Sequence, residues 1–180
     1  MKKRPGDWSQ VFTGKKFWPL DPNIDEVDIK DISHSLALQC RFNGHCENFY
    51  SIAQHSVLVS KLVPKDQALA ALLHDASEAY IGDIIRPLKK FLPKFKKIEL
   101  KIEKVIFEKF GVKNANQEEI KKADNIALIT ERRDLMKNSP GKWKEEKDYK
   151  PSSEKIIAVG PEEAEKKFLE RFKELTNNNF

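Results

Sequence analysis

Apolar residues recur at steps of three and four along most of the chain, which is the spacing that places them on one face of an α-helix. The clearest example is 94–110, where the apolar positions stop before Gly111, a residue typical of helix C-termini. Asp31 or Ser33 is expected to cap the first helix, and Asp66 the third. The pattern predicts six helices: 31–42, 51–63, 67–80, 94–110, 118–136 and a last one that begins at Pro161.

Signals for β-strands are sparse. Lys15–Trp18 precedes a turn-like Pro-Leu-Asp-Pro-Asn segment, and Ile156–Val159 precedes Gly160 and Pro161. The polar stretch 137–155 is predicted to be a surface loop. We therefore expect an all-α fold, a single helical bundle over residues 1–180 with at most a short hairpin or minor strands.

Composition places the chain among globular proteins. Its 180 residues suit one domain, with 34% charged and 39% hydrophobic residues. The apolar runs fall far short of the about 20 residues that a membrane span requires, and the basic N-terminus is not followed by the apolar part of a secretory signal. We therefore expect a cytoplasmic protein with no membrane partner, in which Cys40 and Cys46 are free thiols.

The net charge of +5 predicts affinity for anions, and both nucleotides and nucleic acids qualify. The lysines of 94–104 are also typical of an ordinary solvated helix face. The apolar face of the 94–110 helix would serve a homo-oligomer interface as readily as a core. Charge alone does not distinguish these uses.

The strongest chemical pattern is a group of ionisable residues inside an apolar, helical stretch. His74 is followed directly by Asp75, and Glu78 comes four residues after the histidine, on the same face of a helix. A lone histidine in such a place is usually a core residue. Three ionisable groups together need partners or a metal ion, because burying a charge without compensation is costly.

Two further residues complete a candidate metal site. His55 lies near the start of the second helix, and Asp124 falls among inward-facing positions of the fifth. Imidazole nitrogens and carboxylate oxygens from separate elements suit a divalent metal ion. His34 and His45 are alternatives to His55, but His34 is expected in helix packing or at the surface and His45 in a loop.

The order His55, His74-Asp75, Asp124 resembles the H…HD…D pattern of the HD-domain phosphohydrolases, and in detail the YfbR-like 5'-deoxynucleotidases and related phage proteins. A bare His-Asp pair would be weak evidence, whereas the full set is specific. The resemblance covers roughly residues 41–134. It is carried by Gln54-His55-Ser56-Val57, by His74-Asp75-Ala76-Ser77-Glu78 with Gly82-Asp83, and by Lys122-Ala123-Asp124.

The resemblance implies a catalytic metal centre. His55, His74, Asp75 and Asp124 would bind a divalent ion (Mn, Co, Fe, Ni, Zn or Mg) and leave coordination positions open for water and phosphate. Glu78 would orient or deprotonate the attacking water. Asp83 would hold that water or manage the proton of the leaving group.

The resemblance also implies a binding side for the substrate. Arg41 matches an arginine that contacts phosphate, and Phe42 stands where the family has tryptophan. His45 would reach the phosphate or the leaving group from its loop. Arg86 and Lys89, with the neighbouring Lys90, would neutralise a longer phosphate chain or simply form a solvated basic turn.

Three functions remain open at this point. The leading one is metal-dependent hydrolysis of nucleotide phosphate esters, with deoxynucleoside 5'-monophosphates as substrates. A deoxynucleoside triphosphohydrolase that releases tripolyphosphate is the alternative within the same chemistry. A non-catalytic nucleic-acid-binding module is the third, but it leaves the acidic and histidine residues unexplained.

Overall fold

Helices dominate the computed structural model, which describes residues 4–176, and the predicted all-α fold is confirmed. Short 3-10 turns occur at Ile24–Glu26, Arg41–Gly44, Lys65–Gln67 and Lys144–Lys147. The α-helices in these residues are α1 Ile29–Leu38, α2 Ile52–Lys61, α3 Ala68–Leu72, α4 Glu78–Ile81, α5 Arg86–Lys89, α6 Pro93–Lys109, α7 Gln117–Leu135 and α8 Pro161–Thr176.

A small hairpin near the N-terminus is the one sheet in the described part of the chain. Strand β1, Ser9–Gln10, pairs antiparallel with β2, Lys16–Phe17, so the predicted strand at Lys15–Trp18 is confirmed. The ring of Phe17 is fully buried and stacks on Tyr80 at 3.9 Å between centroids. This contact attaches the hairpin to the helical core.

The predicted strand at Ile156–Val159 is wrong. The segment is irregular because its backbone groups bind side chains on two helices instead of a neighbouring strand. The Ile156 N–H donates to Asp134 Oδ2 at 2.8 Å, and the Val159 N–H donates to Gln54 Oε1 at 3.1 Å. The segment therefore lies across α2 and α7.

Helix α1 does not begin at the predicted caps. Asp28 caps it and accepts from the Lys30 N–H, while the Asp31 carboxylate accepts from both the backbone N–H and the hydroxyl of Thr13. Helix α2 begins after Ser51, as expected, with the Ser51 hydroxyl oxygen accepting from the Gln54 N–H.

The helix predicted at 67–80 is broken in two. Asp66 lies in a 3-10 turn and does not cap it; α3 ends at Leu72, residues 73–77 form successive turns, and α4 begins at Glu78. Backbone hydrogen bonds in the break join residues three apart, as from the Glu78 N–H to Asp75 O at 3.0 Å. His74 and Asp75 thus lie on a turn, and the argument that His74 and Glu78 share one helix face is wrong.

Helix α2 lies at the centre of the bundle, where it contacts α1, α3, α7 and α8. Large side chains such as Ile32, Phe168 and Leu72 fill the surrounding core. A polar side chain in the middle of α2 is consequently enclosed on all sides. Cys40 and Cys46 are free thiols, as expected, and within residues 4–176 no helix is both long and apolar enough to cross a bilayer.

Candidate active site

The four residues predicted to bind metal meet at one point, although they come from three separate elements. His55 Nε2, from α2, lies 3.5 Å from Asp75 Oδ2 and 3.5 Å from Asp124 Oδ1. His74 Nε2 lies 3.2 Å from Asp75 Oδ2, and the two imidazole rings are 5.3 Å apart between centroids. The turn at 73–77 therefore places His74 and Asp75 against α2 and α7.

Hydrogen bonds on the far side of each ring fix which nitrogen faces this point. His74 Nδ1 donates to the carbonyl oxygen of Ala71 at 2.8 Å, and His55 Nδ1 donates to Glu131 Oε1 at 2.5 Å. Both Nε2 atoms are buried and have no hydrogen-bond partner among the described residues. In its neutral form, which metal binding requires, each ring would direct the lone pair of Nε2 toward the two aspartates.

This arrangement fits a divalent metal ion. His55, His74 and Asp124 each offer a ligand atom, and these atoms lie within 4.8 Å of one another. Ligand atoms about 2.0–2.2 Å from one ion are about 3 to 3.5 Å apart, which matches the separations of 3.2 to 3.5 Å observed here. Two buried, unpartnered imidazole nitrogens beside carboxylates are the donor set of a transition-metal site.

The electrostatics favour a cation at this point. Burial raises the pKa of Asp75, but His74, His55 and Arg41 together outweigh it and hold that pKa well below its usual range. Asp124 behaves likewise, because His55 and Arg86 lower its pKa more than burial raises it. Burial lowers the pKa of His74, yet the two aspartates raise it to about 9, which shows how strongly they attract positive charge.

Asp124 uses its two oxygens differently. Oδ1 faces His55, whereas Oδ2 accepts from Arg86 Nη2 at 2.6 Å and from Lys121 Nζ at 2.7 Å. Arg86 also donates to Asn125 Oδ1 at 3.0 Å. The cations thus hold one oxygen and leave the other turned toward the histidines.

Glu131 is a site residue that sequence reasoning missed. Its carboxylate is fully buried and accepts from His55 through Oε1 and from Arg41 Nη2 through Oε2, the latter at 3.0 Å. A signal was present, because Glu131 lies seven residues after Asp124, two turns along the same inward face of α7.

A cleft of about 710 Å³ opens above this point. His55 is fully buried and is not among the residues that line the cleft. Trp143, Glu145 and Glu99 line the cleft, although sequence reasoning did not select them. The predicted site residues that line the cleft are Arg41, Phe42, His45, His74, Asp75, Glu78, Asp83, Arg86, Lys89 and Asp124.

The two predicted acid–base residues both line the cleft. Glu78 is buried, with Oε1 bound to Lys89 Nζ at 3.0 Å and Oε2 without a partner in the described part of the chain. Burial, together with the charges of Asp75 and Asp83, raises the pKa of Glu78 well above its usual value. Asp83 follows Gly82, whose φ of 76° turns the chain sharply at the end of α4.

The cations predicted to bind phosphate already pair with carboxylates. Arg41 binds Glu131 and lies 3.8 Å from Asp75, and Arg86 binds Asp124. Lys89 pairs with both Glu78 and Glu99, and its Nζ lies 2.7 Å from Glu99 Oε1. Their contacts with a substrate stay a prediction.

Aromatic side chains form another part of the cleft wall. Phe42 has a left-handed backbone, φ 54° and ψ 31°, which is strained for a bulky residue and is typical of functional sites. Its ring lies 6.0 Å from that of Trp143, and the Arg132 guanidinium lies 4.9 Å from the Trp143 ring. His45 is exposed at the edge of this wall.

His34 plays no part in this cluster. It lies on α1 and its Nδ1 is 3.1 Å from Glu165 Oε2, while its ring stacks on Phe12. The expectation that His34 belongs to packing is confirmed.

Comparison with known proteins identifies the family. The model of the YfbR-like 5'-deoxynucleotidase family matches residues 16–118. The uncharacterized protein YfdR of Escherichia coli (strain K12) is 44% identical over 169 residues, which cover 93% of this chain and 94% of YfdR. An uncharacterized protein of Rhodobacter capsulatus is 33% identical over 130 residues, 67% of this chain and 66% of its own length.

A 5'-deoxynucleotidase of Vibrio cholerae serotype O1 is 35% identical over 86 residues, which cover 48% of this chain and 41% of that protein. These matches agree with the resemblance carried by the histidine and aspartate motifs, and they establish nucleotide hydrolysis as the chemistry of the family. The chain therefore belongs to the YfbR-like 5'-deoxynucleotidases and is an HD-type phosphohydrolase.

Proposed function

We propose that the chain hydrolyses deoxynucleoside 5'-monophosphates to a nucleoside and inorganic phosphate, with His55, His74, Asp75 and Asp124 holding one divalent metal ion. The observation that carries this proposal is the pair of buried, unpartnered Nε2 atoms beside two ionised aspartates, next to an open cleft. The Vibrio relative, itself named a 5'-deoxynucleotidase, supports the substrate class.

A divalent ion held by these residues supplies Lewis-acid polarisation of a phosphoryl oxygen and lowers the pKa of water. The imidazole and carboxylate donor set favours Mn²⁺, Fe²⁺, Co²⁺, Ni²⁺ or Zn²⁺ over Mg²⁺. The Glu131–His55 and Ala71–His74 hydrogen bonds keep both rings in the tautomer that ligation requires.

Glu78 takes the proton of the attacking water in this proposal. Its Oε2 is free of other hydrogen bonds among the described residues, and its raised pKa brings it nearer to the operating pH, where a general base is most effective. Lys89 holds the other oxygen and so keeps the carboxylate oriented. Asp83 either holds this water or serves the leaving group, and the pH profile of Asp83→Asn separates the two roles.

The cleft is lined by both charged and aromatic side chains, which suit the phosphate and the base of a nucleotide. The phosphate would lie near the metal ligands and Arg41, and the sugar and base would lie along Phe42 and Trp143. A volume of about 710 Å³ is within the range of small-molecule sites.

The monophosphate is favoured over the triphosphate by the charges around the site. The alternative relied on Arg86 and Lys89 to neutralise extra phosphates. In the structure Arg86 pairs with Asp124 and lies 3.7 Å from Glu145, while Lys89 pairs with two glutamates. Arg86 and Lys89 are therefore already compensated by carboxylates, as Arg41 is by Glu131, and neither adds the further positive charge that a long polyphosphate requires.

The test is a product analysis. Purified protein with Mn²⁺, Co²⁺ or Mg²⁺ is incubated with deoxynucleoside and ribonucleoside mono- and triphosphates, and the phosphate products are separated. We expect inorganic phosphate from deoxynucleoside monophosphates, loss of activity in Asp75→Asn and normal activity in His34→Ala. Tripolyphosphate from triphosphates would replace this proposal with its rival, and full activity of Asp75→Asn would contradict the site.

A further inference from the structure

We infer that Glu131 is a positioning residue that couples metal binding to phosphate binding, because its one carboxylate holds both the proposed metal ligand His55 and the proposed phosphate-binding Arg41. The inference rests on the proposed function and deepens it. It concerns a residue that touches neither metal nor substrate, and it predicts that changes on one side of the carboxylate are felt on the other.

The geometry joins three separate parts of the chain. Glu131 projects from α7 and is fully buried. Oε1 accepts from His55 Nδ1 at 2.5 Å, and Oε2 accepts from Arg41 Nη2 at 3.0 Å. Each oxygen therefore serves one side of the site, and a rotation that improves one contact weakens the other.

The buried carboxylate has a hydrogen-bond donor on each of its two oxygens. His55 Nδ1 donates to one oxygen and Arg41 Nη2 to the other, and the side chain has no exposed surface. Burial and the nearby Glu131 charge also raise the pKa of Tyr50, so this adjacent hydroxyl stays neutral. An ion buried this deeply is tolerated only with partners of good geometry.

For His55, the hydrogen bond to the carboxylate decides the tautomer. A carboxylate only accepts hydrogen bonds, so the ring proton stays on Nδ1 and the lone pair of Nε2 faces Asp75 and Asp124. A carboxylate on the distal nitrogen also makes the ligating nitrogen more basic. His74 receives its support from the backbone carbonyl of Ala71, so Glu131 is the side-chain support that substitution removes.

For Arg41, the same carboxylate fixes the plane of the guanidinium. The residue lies in a short turn tethered by its backbone N–H to Tyr50 O at 2.8 Å, and its side chain lines the cleft. Its Nε has no hydrogen-bond partner in the residues described. Bidentate binding of phosphate needs such a fixed plane, because the donors of arginine form a rigid fork.

The coupling follows because His55 and Arg41 bind the same carboxylate, that of Glu131. Without Arg41, the carboxylate loses the cation that holds Oε2 and is free to shift away from His55. Metal affinity should therefore fall in Arg41→Met, although Arg41 is not among the proposed ligands. A purely structural role of Glu131 would instead lower the stability of the fold and leave the metal affinity of folded protein unchanged.

The experiment is a double-mutant cycle on Glu131→Gln and Arg41→Met, with Mn²⁺ affinity measured by electron paramagnetic resonance on folded protein without substrate. Second-sphere partners of metal-binding histidines typically contribute about 10–100-fold in affinity. We expect a loss of this size in Glu131→Gln, a smaller loss in Arg41→Met and a combined loss smaller than the product of the two. KM for the nucleotide should also rise in Glu131→Gln. The exposed Glu118→Gln, on the same helix, should change neither quantity.

A second measurement uses only the wild-type protein, so it tests the inference even if a variant fails to fold. Histidine labelled with ¹⁵N, in protein loaded with Zn²⁺, should show the proton of His55 on Nδ1. A proton on Nε2, or folded Glu131→Gln with wild-type Mn²⁺ affinity, would overturn the inference while nucleotide hydrolysis by the wild type persisted. Conversely, a wild type that hydrolyses no nucleotide but whose Mn²⁺ affinity depends on Glu131 and Arg41 would overturn the proposed function and support the coupling.

Discussion

If Glu78 is the base, as proposed, the charge of Lys89 should influence the pH at which it acts, and removing that charge gives a testable prediction. Lys89 Nζ lies 3.0 Å from Glu78 Oε1, and the side chain of Lys89 is 25% exposed. Burial and two neighbouring aspartates raise the pKa of Glu78, while Lys89 opposes that rise. In Lys89→Met the opposing charge is absent, so the pKa of Glu78 must rise further.

The distance gives the size of the effect. Unit charges 3.0 Å apart interact by about 1.4 kcal/mol at the dielectric constant of water and by about 5.5 kcal/mol at a value of about 20. About 1.36 kcal/mol corresponds to one pKa unit, and partial exposure of Lys89 places the effect near the smaller figure. Because Glu78 acts without its proton, the acid limb of kcat/KM should move to higher pH by about one unit.

The assay is kcat/KM for a deoxynucleoside monophosphate measured across pH in wild type and Lys89→Met. Lys96→Met is the matched control, since Lys96 pairs with the other oxygen of Glu99 and should leave the acid limb in place. An acid limb that stays in place in Lys89→Met, or moves to lower pH, would refute the assignment of Glu78 as the base.

Three further predictions follow from the structure. Mn²⁺ at 100 times its Kd should stabilise chelator-treated protein by about 2.7 kcal/mol and raise its Tm by roughly 5–10 °C in thermal denaturation. His74→Ala should abolish this rise in Tm. An equal rise in wild type and His74→Ala would contradict the proposed metal site. Trp143→Ala should raise KM for nucleotides about 5–100-fold with little effect on p-nitrophenyl phosphate, as loss of base stacking requires; parallel losses on both substrates would argue against a base contact. The Arg133 guanidinium lowers the pKa of Asp134, so this ion pair contributes stability above about pH 4 that is lost as the pH falls. In chemical denaturation, the free energy of unfolding should therefore fall on acidification by at most about 1 kcal/mol more in wild type than in Asp134→Asn. A larger fall in the variant would contradict this sign.

Much of the helical framework could be predicted from local patterns. The long helices α6 and α7 begin and end within a few residues of their predicted limits, because their apolar faces are regular. Pro93 also marks the start of α6, and Asn116 caps α7. The meeting of His55, His74, Asp75 and Asp124 also follows from sequence reasoning, since ionisable residues at inward positions must find one another or a metal.

The break at 73–77 could not be predicted from periodicity. The apolar run through Leu73 and Ala76 continues as it would in a helix, and both residues are fully buried. Tertiary packing of the turn against α2 and α7 outweighs the local helical preference, which is a weak effect by itself. The consequence is functional, because the turn brings Asp75 beside both histidines.

Contacts between segments far apart in the chain could not be predicted from local sequence patterns either. Glu131 and Arg41 are 90 positions apart, and nothing local to either residue indicates the pair. Trp143 lies in a stretch whose composition predicts only a loop, yet it packs near Phe42 and lines the cleft. Such contacts depend on the path of the whole chain.

A metal titration of chelator-treated protein tests the proposed metal centre directly, with phosphate release from a deoxynucleoside monophosphate measured at each addition of Mn²⁺. We expect no activity without metal, a linear rise to a plateau at one equivalent, and neither stoichiometric binding nor activity in Asp124→Ala. Full activity in the chelator-treated protein, or a wild-type titration curve in Asp124→Ala, would contradict the proposed metal centre.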